Sequence, residues 1–112
     1  MRAERLRRTK DIEIVRAEGE LRAYRLFSSR SRGNGLASVR IAVASPRSVG
    51  TAVRRNRARR RIREAIRAAL RERAAAPGTD LFVLARGAAV DAPSDALRAA
   101  VRAQLDAALG TA

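Results

Sequence analysis

The side chains of this sequence offer ionic binding rather than catalysis. There is no histidine and no cysteine, so the commonest general base and the thiolate ligands of metals are missing. The eleven carboxylates are scattered, and none are spaced as a two-metal site requires. The segment RGNG at 32–35 lacks the spacing and context of a phosphate-binding loop. We therefore predict no catalytic residue, and neither a metal nor a cofactor bound by the protein itself.

The chemistry that the chain does offer is concentrated positive charge. The formal net charge is +14, from 25 basic and 11 acidic residues. Residues 47–73 hold 11 arginines against Glu64 and Glu72, which gives +9, so nearly two-thirds of the excess lies in a quarter of the chain. This asymmetry predicts a surface that binds a polyanion beside a roughly neutral remainder.

The basic segment also has the periodicity of a helix, which a solvated tail would not need. Its apolar residues form one helical stripe, which consists of Ala58, Ile62, Ala65, Ile66, Ala69 and Leu70. Thr51, which precedes this stripe, is the predicted N-terminal cap of the helix. The opposite side carries Asn56, Arg60, Arg63 and Arg67, with Arg57 and Arg71 at its margin. A solvated helix face normally mixes charges, so this one predicts nucleic-acid binding, with DNA and RNA both open.

The remaining pattern predicts the elements that carry this helix. A first helix spans 9–19 with Thr9 as its cap and Gly19 at its end, and a last helix spans 94–109 between Ser94 and Gly110. Strands are predicted at 23–29, 38–44 and 80–86, with a turn at 29–35, and the pattern leaves open whether the first is one strand or two. The order is that of an α/β sandwich in a single domain over 1–112. No apolar run could span a bilayer and no secretory signal is present, so we expect a cytoplasmic protein without a membrane partner.

Residues 50–67, GTAVRRNRARRRIREAIR, resemble the signature of the bacterial ribonuclease P protein subunit. Ten positions match, namely Gly50, Ala52, Val53, Arg55, Asn56, Arg57, Arg59, Arg60, Arg63 and Glu64. The flanks agree as well, with an early pattern at Leu6, Asp11, Val15 and Gly19 and a strand from Asp80 to Arg86. The resemblance implies an α-βββ-α-β-α order with helices packed on one central sheet. This is a two-layer α/β (α+β) sandwich, ribosomal protein S5 domain 2-like, with a left-handed βαβ crossover.

The resemblance also implies a function in which the protein assists a catalytic RNA. The RNA subunit of ribonuclease P would hydrolyse the 5′ leader from precursor tRNA with Mg²⁺, and the protein would bind both RNAs and no small-molecule substrate. The residues expected to bind the RNA subunit are Arg54, Arg55, Asn56, Arg57, Arg59, Arg60, Arg63 and Arg67.

A leader-binding cleft between the first helix and the sheet is the second site that the resemblance implies. Its candidate residues here are Ile12, Val15, Arg16, Tyr24, Phe27 and Arg86. Ile12 and Arg16 stand where the family usually has aromatic residues, and Gly87 replaces a basic residue, so the contacts would be aliphatic plus arginine. Ile12, Val15, Tyr24 and Phe27 fit the hydrophobic core equally well.

Two other classes of RNA- or DNA-binding protein share the basic helix. A small ribosomal or assembly protein would bind folded RNA without an enzymatic partner, but it has no reason to match ten signature positions. A DNA-binding helix would need the paired helix of a helix-turn-helix motif, and no such pattern flanks the arginine run. A ribonuclease P protein is therefore the first hypothesis.

Overall fold

The structure is a computed structural model that describes residues 1–110 and contains five strands and three α-helices. Two 3₁₀ turns, Arg47–Val49 and Gly87–Ala89, flank the second helix and the last strand. The elements in chain order are β1 Glu4–Arg5, α1 Thr9–Glu18, β2 Glu20–Ala23, β3 Phe27–Gly33, β4 Val39–Ala44, α2 Ala52–Arg71, β5 Thr79–Ala85 and α3 Ser94–Leu109.

All five strands form one mixed sheet in the order β1-β4-β5-β3-β2. The centre is β5, which runs parallel to β4 and antiparallel to β3. The two parallel neighbours β4 and β5 are joined through α2, which makes the βαβ unit that the resemblance implies. This arrangement confirms the predicted α+β sandwich with one central sheet.

The two faces of the sheet bury different helices because successive residues of a strand point to opposite sides. Leu81 and Val83 of β5 belong to the main core with the apolar stripes of α2 and α3. Phe82 points the other way and packs with Leu6 and Val15, so α1 covers part of the opposite face. The arginine helix and the predicted leader cleft therefore lie on opposite sides of the sheet.

Several local predictions were wrong at the element ends. The predicted turn at 29–35 is largely strand, because residues 27–33 pair with β5 along their whole length. Thr9 and Ser94 are the first residues of their helices and cap neither, since Arg8 and Pro93 occupy the cap positions without a side-chain hydrogen bond. Two strands, β1 and β2, lie outside the predicted segments or at their edge.

Candidate nucleic-acid interface

The helix α2 is fixed by its cap and its apolar stripe, as the sequence predicts. The Thr51 hydroxyl accepts a hydrogen bond from the Arg54 backbone N–H at 3.3 Å. All six residues of the predicted stripe are buried, and Ile62 and Leu70 have no exposed surface. Because this stripe faces the sheet and α3, the arginines between its members are forced to the flanks and the outer side of the helix.

One flank of α2 is used to hold loops. The guanidinium of Arg61 donates to the carbonyl oxygens of Ala89 at 2.8 Å and Val90 at 2.9 Å, and also to that of Ala92. The Nε of Arg57 donates to the Val90 carbonyl at 2.9 Å. These bonds tie the helix to the second 3₁₀ turn, and they assign Arg61 to the fold rather than to the outer surface.

An acid from outside the helix lies beside the same flank. The carboxylate of Asp91 lies 3.7 Å from the Arg54 guanidinium and 3.9 Å from the Arg57 Nε. Asp91 is three-quarters exposed, so both ion pairs are weak. Arg54 also donates from Nε to the Val49 carbonyl at 3.2 Å. The side chains of Arg54 and Arg57 are thus held in place but keep their outer edges open to solvent.

The other flank is a row of arginines four residues apart, and we call Arg55, Arg59, Arg63 and Arg67 the open arginine row. Within residues 1–110 none of these four forms an ion pair with a carboxylate. Partial burial lowers the pKa of Arg63, and the nearby charges of Arg5, Arg59 and Arg67 lower it further. A shared anion would relieve this repulsion, so the row is suited to bind phosphate groups.

The single asparagine of the run orients one member of this row. The Asn56 side-chain oxygen accepts a hydrogen bond from the Arg59 guanidinium one turn further along. Asn56 and Arg60 both lie exposed on the outer side of the helix. Because an amide accepts as well as donates, Asn56 can hold Arg59 without neutralising it.

The residues predicted for the leader cleft are divided between the two sides of the sheet. On the side that α1 covers, Val15 is buried against Phe82, Ile12 packs beside it, and the Arg16 guanidinium lies 5.1 Å from the centre of the Phe82 ring. Arg86 is exposed in extended backbone directly after β5. Strand alternation puts it on the same face as Phe82. Four of the six predicted residues therefore share this face.

The placement of Tyr24 and Phe27 in that cleft was wrong. Phe27 is 1% exposed in the core that packs against α2 and α3, and Tyr24 lies against it with ring centroids 5.2 Å apart. Both residues belong to the opposite side of the sheet from α1. The core alternative is correct for them, and the aromatic residue on the cleft side is Phe82.

An ion-pair network that the sequence analysis missed holds α1 on the sheet. Arg40 of β4 makes a bidentate contact with Asp80 of β5, with both N–O distances 2.7 Å, and reaches Asp11 of α1 at 3.3 Å. Asn34 donates to the same Asp80 carboxylate at 2.9 Å. The hydrogen bond and charge of Asp80 raise the pKa of Arg40. The available signal was a single arginine at the second position of the otherwise apolar strand VRIAVA.

Comparison with known proteins identifies the family to which these features belong. A family model described as Ribonuclease P matches residues 1–109. The chain belongs to the ribonuclease P protein family. A curated relative, the ribonuclease P protein component of Bartonella quintana (strain Toulouse), is 38% identical over 96 residues, which cover 80% of this chain and 71% of that protein.

Solved structures of ribonuclease P proteins have the same fold. The protein from Thermotoga maritima matches with a TM-score of 0.79 at 26% identity, covering 93% of this chain and 96% of that one. The protein from Staphylococcus aureus matches with a TM-score of 0.78 at 24% identity, covering 96% of both chains. In this fold the open arginine row lies on one side of the sheet and α1 packs on the other.

Two further properties concern the part of the chain that the structure describes. No group of three or more His, Cys, Asp or Glu residues in 1–110 is placed to hold a metal ion. No helix in this range is long and apolar enough to cross a bilayer.

Proposed function

We propose that this chain is the protein subunit of a ribonuclease P, which binds the RNA subunit through α2 and the 5′ leader of precursor tRNA beside α1. The RNA subunit would carry out the Mg²⁺-dependent hydrolysis that removes the leader. The observation that carries the proposal is the open arginine row, which holds four cations in register on a rigid helix without a carboxylate partner in residues 1–110. Such a surface attracts a negatively charged partner such as RNA.

The outer arginines of α2 would act by screening phosphate repulsion between two RNA molecules. Each phosphate that an arginine neutralises releases condensed counterions, so affinity falls steeply as salt rises. In residues 1–110 no carboxylate pairs with Arg59, Arg60, Arg63 or Arg67, so their charge is available for such contacts. The surface would extend toward the start of the helix through Arg54, Arg55, Asn56 and Arg57. Asn56 would add a hydrogen bond that depends on orientation as well as charge.

The face beside α1 would take single-stranded nucleotides of the leader. Arg16 above Phe82 offers a cation near an aromatic ring, and Ile12 beside it adds apolar surface. Arg86 lies on the same face, beyond the end of β5. Unpaired bases stack on guanidinium planes, and Phe82 is only 9% exposed, so Arg16 would offer the stacking surface with the Phe82 ring as its support.

The test is reconstitution of precursor-tRNA cleavage at low Mg²⁺. The purified chain is mixed with a bacterial ribonuclease P RNA and precursor tRNA, and the mature 5′ end is quantified. We expect the chain to raise the cleavage rate, and a variant with Arg59, Arg63 and Arg67 replaced by glutamine to lose most of that effect. The matched control replaces Arg7, Arg25 and Arg98, which are exposed elsewhere and carry the same total charge.

The possible outcomes separate this function from its main alternative. Failure of the unaltered chain to stimulate cleavage would reject it as a ribonuclease P subunit. Tight binding of structured RNA in the same experiment would then favour a ribosomal or RNA-assembly protein. Equal losses in the two triple variants would show that total charge, and not the open arginine row, determines activity.

A further inference from the structure

The N-terminal segment places an arginine against α2 that the signature does not include. Glu4 and Arg5 form β1, which pairs in parallel with Arg40 and Ile41 of β4 at the edge of the sheet. The Leu6 N–H continues the pairing with a 2.8 Å bond to the Ile41 carbonyl. Leu6 is buried under α1, so strand alternation directs Arg5 to the opposite face, where α2 lies.

A groove lies between this strand and the helix, and we call it the β1–α2 groove. It is lined by Ala3, Glu4, Arg5, Ile41, Arg63, Ile66 and Arg67. A second hollow of about 300 Å³ continues it along the helix and is lined by Met1, Arg2, Ala3, Arg67 and Arg71. The two hollows share Ala3 and Arg67, and together they are lined by five arginines from the N-terminal segment and α2.

The groove has little negative charge of its own to balance these arginines. Its lining contains one acid, Glu4, whose carboxylate accepts a hydrogen bond from the Ser38 hydroxyl at 3.1 Å. In the described residues, none of the five arginines forms an ion pair with a carboxylate. Like charges brought together in this way repel each other unless an anion lies between them.

The floor of the groove strengthens this electrostatic effect. Ile41 and Ile66 supply apolar surface, and partial burial there is the largest cause that lowers the pKa of Arg63, followed by the charge of Arg5. Charges interact more strongly where water is partly excluded. An anion that enters the groove thus gains more than it would on the exposed outer side of α2.

We propose that the β1–α2 groove binds phosphodiester groups of the RNA backbone, with Arg5, Arg63 and Arg67 around one phosphate and Arg2 and Arg71 beside the next. The guanidinium fork suits this contact because it donates two parallel hydrogen bonds to phosphate oxygens. The inference extends the proposed function by adding β1 as a second wall of the RNA-binding surface. It also predicts that the N-terminal arginines contribute unequally to RNA binding, because Arg7 lies beyond β1 and outside the groove lining.

The test compares Arg5→Gln with Arg7→Gln, two exposed arginines whose loss changes the net charge equally. Fluorescence anisotropy measures the Kd for a bacterial ribonuclease P RNA and for a short RNA hairpin of unrelated sequence. We expect Arg5→Gln to weaken binding about fivefold at low salt and Arg7→Gln to change it less than about twofold. The affinity of the unaltered chain should fall as salt rises from about 50 to about 200 mM. Because Arg5→Gln loses one phosphate contact, the factor by which its affinity falls over the same range should be roughly threefold smaller.

Two further variants establish the geometry. Arg63→Gln should weaken binding like Arg5→Gln, and the double variant should lose less than the product of the two single losses, because both side chains contact one phosphate. Arg5→Lys should keep the salt dependence of the unaltered chain because it keeps the charge. A loss of salt dependence in Arg5→Lys equal to that of Arg5→Gln would mean that the strand itself is disturbed, and it would reject the proposal.

The proposal is overturned if Arg5→Gln and Arg7→Gln weaken binding equally, or if the losses from Arg5→Gln and Arg63→Gln multiply without coupling. The hairpin measurement keeps this result separate from the proposed function. A chain that fails to stimulate ribonuclease P cleavage but still couples Arg5 to Arg63 on the hairpin retains the groove and loses the enzyme assignment. A chain that stimulates cleavage but shows no coupling between Arg5 and Arg63 retains the enzyme assignment and loses the groove.

Discussion

The network that fastens α1 to the sheet gives the sharpest prediction of stability, through the substitution Asp80→Asn. The Asp80 side chain is 8% exposed and accepts hydrogen bonds from Arg40 Nε, Arg40 Nη2 and Asn34 Nδ2. An asparagine has nearly the same shape, but its amide nitrogen would face a guanidinium that can only donate. The substitution therefore removes a bidentate ion pair without creating a cavity.

The magnitude follows from burial and geometry. Removing one partner of a buried, hydrogen-bonded ion pair costs about 3–5 kcal/mol, and we take the lower end because the Arg40 side chain is 21% exposed. A loss of about 3 kcal/mol in the free energy of unfolding corresponds to about 12 °C in Tm for a chain of 112 residues. Asp11→Asn should cost about 1 kcal/mol, since that carboxylate is farther away at 3.3 Å and more exposed.

Urea denaturation followed by circular dichroism measures these differences, with Glu13→Gln as the control. Glu13 lies exposed on the same helix as Asp11, so its loss should cost less than about 0.5 kcal/mol. The double variant of Asp80 and Asp11 should lose less than the sum of the single losses, because both acids share Arg40. If Asp80→Asn is no more destabilising than Glu13→Gln, the bidentate pair contributes no net stability and the reasoning is refuted.

Four other substitutions test the roles of individual residues. Arg61→Ala should lower the free energy of unfolding by about 2 kcal/mol, because the carbonyl oxygens of the loop lose their hydrogen-bond donor. Arg60→Ala should weaken RNA binding and leave the free energy of unfolding unchanged. Equal stabilities of the two variants in urea denaturation would contradict this difference in roles. Asp91→Asn should raise RNA affinity about twofold at low salt and leave it unchanged at high salt, because the Asp91 carboxylate competes with RNA phosphates for Arg54. An unchanged Kd at low salt would show that the carboxylate does not compete. Gly19→Ala should lower Tm by several degrees, because its Cβ would clash with the Val15 carbonyl oxygen, and an unaltered melting curve would show that the turn adapts.

The helix α2 was predictable because its signal is both local and long. Twenty residues contain several repeats of the apolar stripe, and a helix-capping threonine marks their start. The period that defines the buried side also defines the exposed one, so the basic surface follows from the same pattern. The β1–α2 groove did not follow, because a two-residue strand at the sheet edge has no periodicity of its own.

The three central strands of the sheet were predictable, but which of their side chains face α1 was not. Phe27 could have pointed toward α1 or away from it, since a strand shifted by one residue exchanges its two sides. Pairing of Phe27 with Ala85 and of Ser29 with Val83 sets the register, and this pairing joins segments far apart in sequence. The same register buries Ser29 against Gln104 of α3, through a 2.6 Å hydrogen bond that the apolar pattern of α3 does not reveal.

The division of the α2 arginines into two flanks explains how so basic a chain keeps its charge available for RNA. Arg57 and Arg61 are held mainly by backbone carbonyl oxygens, and Arg54 likewise donates to the Val49 carbonyl. A carbonyl satisfies the donors of a guanidinium but does not cancel its charge, whereas a carboxylate would do both. The loop-bound flank therefore stabilises the fold while still adding to the positive field around the helix. If carboxylates held these arginines instead, the loops would be as well anchored, but the field that attracts a polyanion to the open arginine row would be weaker.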